Sequence, residues 1–193
     1  PRWENLGLSI EPKEIKEIIN DSDLNLDLKK ITNSESPEIL IAGCGTGQHA
    51  ITTASKYQKS KILALDLSFK SLSYAKRKAN ELKINNIDFI QGDILDLESI
   101  DRKFDIIESV GVLHHMDNPF KGWKILTSCL HKQSLMLIGL YSEKARQHII
   151  QIRNKINDLQ LEHNYKNIIK FRKDLIESNN DKWNDIISSP DFY

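Results

Sequence analysis

An alternation constrains this chain more than any other feature. Short, largely apolar runs, the first of them apolar throughout, end at turn residues and are followed by stretches with helical spacing. Ile39-Leu40-Ile41-Ala42 runs into Gly43, and Ile62-Leu63-Ala64-Leu65 runs into Asp66. Ile87-Asp88-Phe89-Ile90 leads to Gln91-Gly92-Asp93, Phe104-Asp105-Ile106-Ile107 to Glu108, and Leu135-Met136-Leu137-Ile138-Gly139-Leu140 closes the series. A short run that is apolar at every position suits a strand buried on both faces. Residues 48–58, 68–83 and 119–130 have helical spacing. Ser68 suits an N-cap, Leu72, Ala75, Ala79 and Leu82 share one stripe, and Pro119 suits a first helical turn. Strands alternating with helices require a parallel sheet covered by helices. Right-handed crossovers leave the doubly wound, Rossmann-like α/β sheet as the natural arrangement.

This core occupies residues 37–142. Residues 1–36 are expected to be a helical lead, with Pro12 near a helix start, apolar residues at Ile15, Ile18 and Ile19, and the breaker Ser34-Glu35-Ser36-Pro37. Residues 143–193 are expected to be a helical extension or lid, with Ile149, Ile152, Ile156 and Leu159 on one stripe and Ile168, Phe171, Leu175 and Ile176 on another. The chain begins at Pro1 and ends at Tyr193 without a stop-like tail, which suggests a piece of a longer chain.

Lys and Arg total 27, and so do Asp and Glu. Without a cationic surplus DNA is a poor partner, and RNA is only slightly better, because phosphate binding draws on Lys and Arg. No apolar run approaches the roughly 18 residues of a membrane span, and no signal peptide is visible. Cys44 and Cys129 are expected as reduced thiols in a cytoplasmic protein. A chain of 193 residues needs no metal staple, and no metal site is expected.

Three of the eight glycines lie in Gly43-Cys44-Gly45-Thr46-Gly47, at the first strand-to-helix turn. Glycine there lets a ligand approach the backbone, and the next helix offers unpaired N–H groups. Asp66 ends the second strand, where a carboxylate can accept from both hydroxyls of a ribose. Asp93 ends the third. Each feature alone also reads as a tight turn, a helix-end charge or a turn aspartate. All three fall at strand C-terminal ends on one edge of the sheet, which together point to an adenosine site. The spacing is G-x-G-x-G, not the G-x-G-x-x-G of nicotinamide-binding proteins, and no P-loop Lys-Ser/Thr follows.

Ile39-Leu40-Ile41-Ala42-Gly43-Cys44-Gly45-Thr46-Gly47 resembles motif I of the class I S-adenosylmethionine-dependent methyltransferases. Ala64-Leu65-Asp66-Leu67-Ser68, Gln91-Gly92-Asp93-Ile94, and Phe104-Asp105-Ile106-Ile107-Glu108-Ser109 with Val112-Leu113-His114-His115 are similar to their second, third and fourth motifs. The resemblance implies S-adenosyl-L-methionine as cofactor. It would place Gly43, Cys44, Gly45, Thr46 and Gly47 under the methionine and ribose, Asp66 and Leu67 at the ribose, Asp93 and Ile94 at the adenine, and Ser109 and Val110 at the methionine end.

Methyl transfer is an in-line displacement that needs a base only when the acceptor carries a proton. His114 and His115 are the candidates, with capping or packing as their other reading. The Asn/Asp-Pro-Pro-Tyr/Phe motif of base and glutamine methyltransferases is missing, since Glu108-Ser109-Val110-Gly111 stands in its place. Asp117-Asn118-Pro119-Phe120 lies too late and suits a helix start. The acceptor is therefore expected to be a small molecule or a protein side chain. The family's sixth and seventh strands have no counterpart after Ser142. Pro1-Arg2-Trp3 and Leu140-Tyr141-Ser142-Glu143-Lys144-Ala145-Arg146 are similar to methyltransferase domains attached to bacterial tetratricopeptide-repeat proteins, which implies such a region in a parent chain. A non-catalytic cofactor-binding sensor or interaction domain would carry the same turn, and a nicotinamide-dependent oxidoreductase is the other enzyme reading.

Overall fold

The computed structural model describes residues 35–162, 164–178 and 180–188, together with Glu14 and Glu17. The expected lead helix after Glu11 and the Trp3 region lie outside them. Two compact units divide the chain, one through Leu140 and one from Tyr141.

The first unit is a sheet. Strand β1 (Glu38–Ala42) is followed by helix α1 (Gln48–Lys56), β2 (Lys61–Asp66), α2 (Phe69–Glu81) and β3 (Ile87–Gln91). A short 3-10 helix (Ile94–Ser99), β4 (Phe104–Val110), a second 3-10 helix (Leu113–His115), α3 (Pro119–Ser128) and β5 (Leu130–Gly139) complete it. The strand order is β3-β2-β1-β4-β5, and every pairing is parallel. The sheet therefore winds outward in both directions from β1 and β4. Their C-terminal ends mark the switch point at which such sheets bind ligands.

Because side chains alternate across a strand, β1 feeds both layers of the core. Ile39 and Ile41 pack with Ala50, Ala54, Leu72 and Ile106. Leu40 and Ala42 pack on the opposite face with Leu97, Phe104, Ile107, Ile125 and Leu126. Full burial of each such aliphatic side chain is worth about 1.5–3 kcal/mol. This is why an uninterrupted apolar run identifies the strand. Ser68 caps α2 by accepting from Ser71 N–H at 3.2 Å, and Asn118 caps α3 by accepting from Lys121 N–H at 3.0 Å.

Several boundaries differ from the sequence expectation. Helix α1 stops at Lys56 rather than 58, and α2 at Glu81 rather than Lys83; Leu82 is left half-exposed at its C-cap. Strand β4 continues through Glu108, Ser109 and Val110, because Glu108 and Ser109 are buried with internal hydrogen-bond partners. Helix α3 ends at Ser128, and Leu130 already belongs to β5. Phe104 pairs with Leu130 and Ile106 with Leu135, so His131-Lys132-Gln133-Ser134 bulges from the ladder, with Gln133 at φ 62°. The bulge leaves these four polar residues out of the ladder with β4.

The second unit contains α4 (Gln147–Asp158), α5 (Tyr165–Glu177), a 3-10 turn (Asp181–Trp183) and α6 (Asn184–Ile187). Ile152, Leu175, Trp183 and Ile186 form its buried core, flanked by Ile149, Ile156 and Phe171. Leu159, Ile168 and Ile176, expected on the apolar stripes, are exposed. Leu159 follows the last turn of α4, and Ile176 lies about 100° around the helix from Leu175. Among the described residues no helix is long and apolar enough to cross a membrane, and no group of three or more His, Cys, Asp or Glu side chains could hold a metal ion.

Candidate functional site

The glycine turn is pinned to the neighbouring strand. Gly43 N–H and Cys44 N–H both donate to the Leu65 carbonyl, at 2.8 and 2.9 Å. Gly45 N–H donates to Asp66 Oδ2 at 2.7 Å, and Ser68 N–H donates to Asp66 Oδ1 at 2.8 Å. One carboxylate at the end of β2 thus fixes the turn after β1 and the start of α2. Hydrogen bonds to a charged acceptor contribute about 1.5–3 kcal/mol.

Gly43 has φ +81°, and a Cβ on it would lie 2.4 Å from Val112 Cγ2. Only a glycine fits that backbone under that side chain. Gly45 differs, with φ +53° and nothing within 4 Å of the corresponding position. It lies open, as a backbone must if a ligand is to touch it.

Two clefts flank the turn. The first, about 120 Å³, is lined by Gly43, Leu65, Asp66, Leu67, Gly92, Asp93, Ile94, Val112 and Met116. Asp93 caps the following 3-10 helix, its Oδ1 accepting from Leu95 N–H at 2.9 Å, while Asp96 reaches back to Asp93 N–H at 3.3 Å. The plain turn role of Asp93 is thus real, and the same residue lines the cleft. The second cleft, about 500 Å³, is lined by Ile41, Gly43, Cys44, Gly45, Thr46, Gln48, His49, Thr52 and Val110.

The structure brings Gly43, Asp66, Leu67, Asp93 and Ile94 to the first cleft, and Gly43, Cys44, Gly45, Thr46 and Val110 to the second. Four expected residues line neither. Gly47 is the N-cap of α1 and faces α2, where a Cβ would meet Ala75 Cβ at 2.5 Å. Ser109 is buried, its hydroxyl donating to the Ala42 carbonyl at 3.1 Å. His114 and His115 lie on the second 3-10 helix with ring centroids 4.2 Å apart; His115 is exposed and His114 half-buried.

Sequence reasoning missed a different histidine. His49, in the first turn of α1, has its Nε2 2.8 Å from Glu108 Oε2 on β4. The same oxygen accepts from the Thr53 hydroxyl at 2.9 Å. Glu108 is buried, whereas the His49 side chain is 43% exposed and lines the second cleft. The one signal in the sequence was an acidic residue, Glu108, directly after the apolar pair Ile106-Ile107. Cys44, beside His49, has its thiol pushed up to about 12 by burial and then by the Asp66 charge. Both cysteines are free.

The first cleft suits an adenosine. Its two carboxylates are acceptors, its walls are otherwise apolar, and the turn beside it leaves space at Gly45 where a side chain would stand. A family model described as "Methyltransferase domain" matches residues 34–187. An uncharacterized protein of Synechococcus is 35% identical over 125 residues, covering 64% of this chain and 30% of that protein. A probable (S)-tetrahydroprotoberberine N-methyltransferase of Papaver bracteatum is 29% identical over 113 residues, covering 58% and 31%. In shape the chain is similar to PKMT2 of Rickettsia typhi in complex with AdoHcy, with a TM-score of 0.60 at 23% identity, over 81% of this chain and 31% of that one. The chain thus spans about a third of the length of each of these relatives.

Proposed function

This chain belongs to the methyltransferase domain family, with the class I fold, and from that premise we propose that it binds S-adenosyl-L-methionine and transfers its methyl group to a small molecule or a protein side chain. The observation that carries the reading is Asp66, which joins the glycine turn to β2 and lines the first cleft. When bound, the cofactor supplies an electrophilic methyl group on a sulfonium. The protein's task is to hold and orient it. In this reading Asp66 accepts from the ribose hydroxyls, Asp93 faces the adenine, and Leu67, Ile94 and Met116 cover the rings. Thr46, Gly45 and Val110 border the methionine side.

The poppy relative is named as an N-methyltransferase, which makes amines the first acceptor class to test here. The parent-chain tetratricopeptide region implied by the terminal segments remains part of the proposal. The experiment is direct. Calorimetry with S-adenosylhomocysteine should show binding, and Asp66→Ala should weaken it roughly 10- to 100-fold, the loss of about 1.5–3 kcal/mol. Incubation with methyl-tritiated S-adenosylmethionine and lysate should label a product. Binding without any label would favour a non-catalytic sensor, and unchanged affinity in Asp66→Ala would remove Asp66 from the site.

A further inference from the structure

The second cleft contains a paired acid and imidazole that no motif of the sequence announced. His49 Nε2 and Glu108 Oε2 stand 2.8 Å apart. Two bare acceptors would repel at that distance, so a proton lies between them. Thr53 already donates its hydroxyl to the same oxygen, at 2.9 Å, which fits a carboxylate that accepts from both sides. Holding the proton on Nε2 leaves Nδ1 as the basic nitrogen of a neutral imidazole. The side chain bearing it is the half-exposed one that lines the cleft.

We propose that His49, positioned by Glu108, takes the proton of the methyl acceptor, and that the acceptor is accordingly a protic group, an amine first, bound in the second cleft. This rests on the methyl-transfer reading above. The acceptor nitrogen attacks the methyl carbon, and the carbon–sulfur bond breaks with its electron pair remaining on sulfur. The proton leaving nitrogen passes to His49 Nδ1. The imidazolium so formed keeps its Nε2 proton on Glu108, whose negative charge stabilises it.

The surrounding groups leave this role to His49. Cys44 is the other titratable side chain among those lining the cleft, and its thiol is pushed up to about 12. Tyr57, at the end of α1, is pushed up to about 12 by burial and by the Glu108 charge. Neither exchanges a proton near neutral pH. A base placed at the reacting group contributes typically 10²–10⁴-fold.

The test uses the full chain with S-adenosylhomocysteine and histidine labelled with nitrogen-15. The His49 spectrum should show hydrogen on Nε2 and a bare Nδ1, and Glu108→Gln should erode that preference. His49→Gln should leave S-adenosylhomocysteine affinity within twofold and cut tritium transfer from S-adenosylmethionine into lysate by at least about 100-fold. Glu108→Asp should recover part of the transfer lost in Glu108→Gln. Hydrogen on Nδ1 instead, a tenfold loss of S-adenosylhomocysteine affinity in His49→Gln, or undiminished label transfer would each overturn the proposal. A wild-type chain that binds S-adenosylhomocysteine but labels nothing removes methyl transfer and this base with it. The nitrogen spectrum still shows in that case whether the pair exists, so the two failures are told apart.

Discussion

The two clefts beside the glycine turn are built by different means. In the first, the carboxylates are set by backbone donors near them: Ser68 N–H and Gly45 N–H on Asp66, and Leu95 N–H on Asp93. In the second, the acid is set by side chains from another element, since Thr53 and His49 of α1 converge on Glu108 of β4. The first arrangement is local geometry at strand ends. The second depends on how a helix is laid across a sheet. One consequence is that the first is tolerant of what packs behind it, while the second fails if α1 rotates.

The contrast can be broken at Cys44 first. With its pKa pushed from 9.0 to about 12, the native thiol at pH 8 carries roughly a thousandfold less thiolate than an unperturbed one. Alkylation by iodoacetamide at pH 8 should accordingly be about a thousandfold slower in the folded chain than in denaturant. A native Cys44 rate within tenfold of the unfolded one would mean that the thiol ionises near neutral pH and is a second proton acceptor in the cleft beside His49. The direction is fixed by burial, which disfavours the charged form, so labelling should accelerate steadily as pH rises from 8 toward 12.

Gly43 comes next, because both clefts share it. Gly43→Ala combines a backbone at φ +81° with a contact 2.4 Å from Val112. Strain and overpacking together should cost about 2–4 kcal/mol, lowering Tm by roughly 4–16 °C. Adding Val112→Ala should return part of that loss in a double-mutant cycle, and strict additivity would show that the contact is not the cause.

Thr53→Val sharpens the second cleft alone. Removing one donor from a buried carboxylate should cost about 1.5–3 kcal/mol in chemical denaturation, with S-adenosylhomocysteine affinity nearly unchanged. An equal loss of affinity would show that the two clefts are not separately supported. The smallest effect belongs to Gly45→Ala, where nothing stands within 4 Å and only φ +53° is strained. About 1 kcal/mol of stability should be lost. Comparing it with Gly43→Ala separates conformational strain from collision.

The same difference explains what could be read from the residues. Strands β1 and β2 are legible because a run such as Ile39-Leu40-Ile41-Ala42 has one physical use, and Asp66 is legible because it stands at the end of such a run. The extent of β4 was not, since Glu108 and Ser109 look like turn residues until their partners, Thr53 and Ala42, are known from tertiary packing. The bulge in β5 has the same origin: a polar tetrad follows a helix in sequence terms, and only pairing of Leu130 with Phe104 reveals it as a bulge inside a strand. His49 went unnoticed because its acid partner is 59 residues away, and no local spacing encodes an angle between a helix and a sheet. His114 and His115 drew attention by their place just beyond β4 at the cofactor edge, which carries no information about which cleft a ring reaches.

Gly43 has one more implication. A single backbone segment is a wall of both clefts, held to Leu65 on one side and pressed by Val112 on another. If what fills the first cleft shifts that wall, it changes the free energy with which the second is filled. Linkage then requires the second occupant to alter the first by the same factor. Whether the turn couples the two clefts is read from one ligand's dissociation constant measured with and without the other.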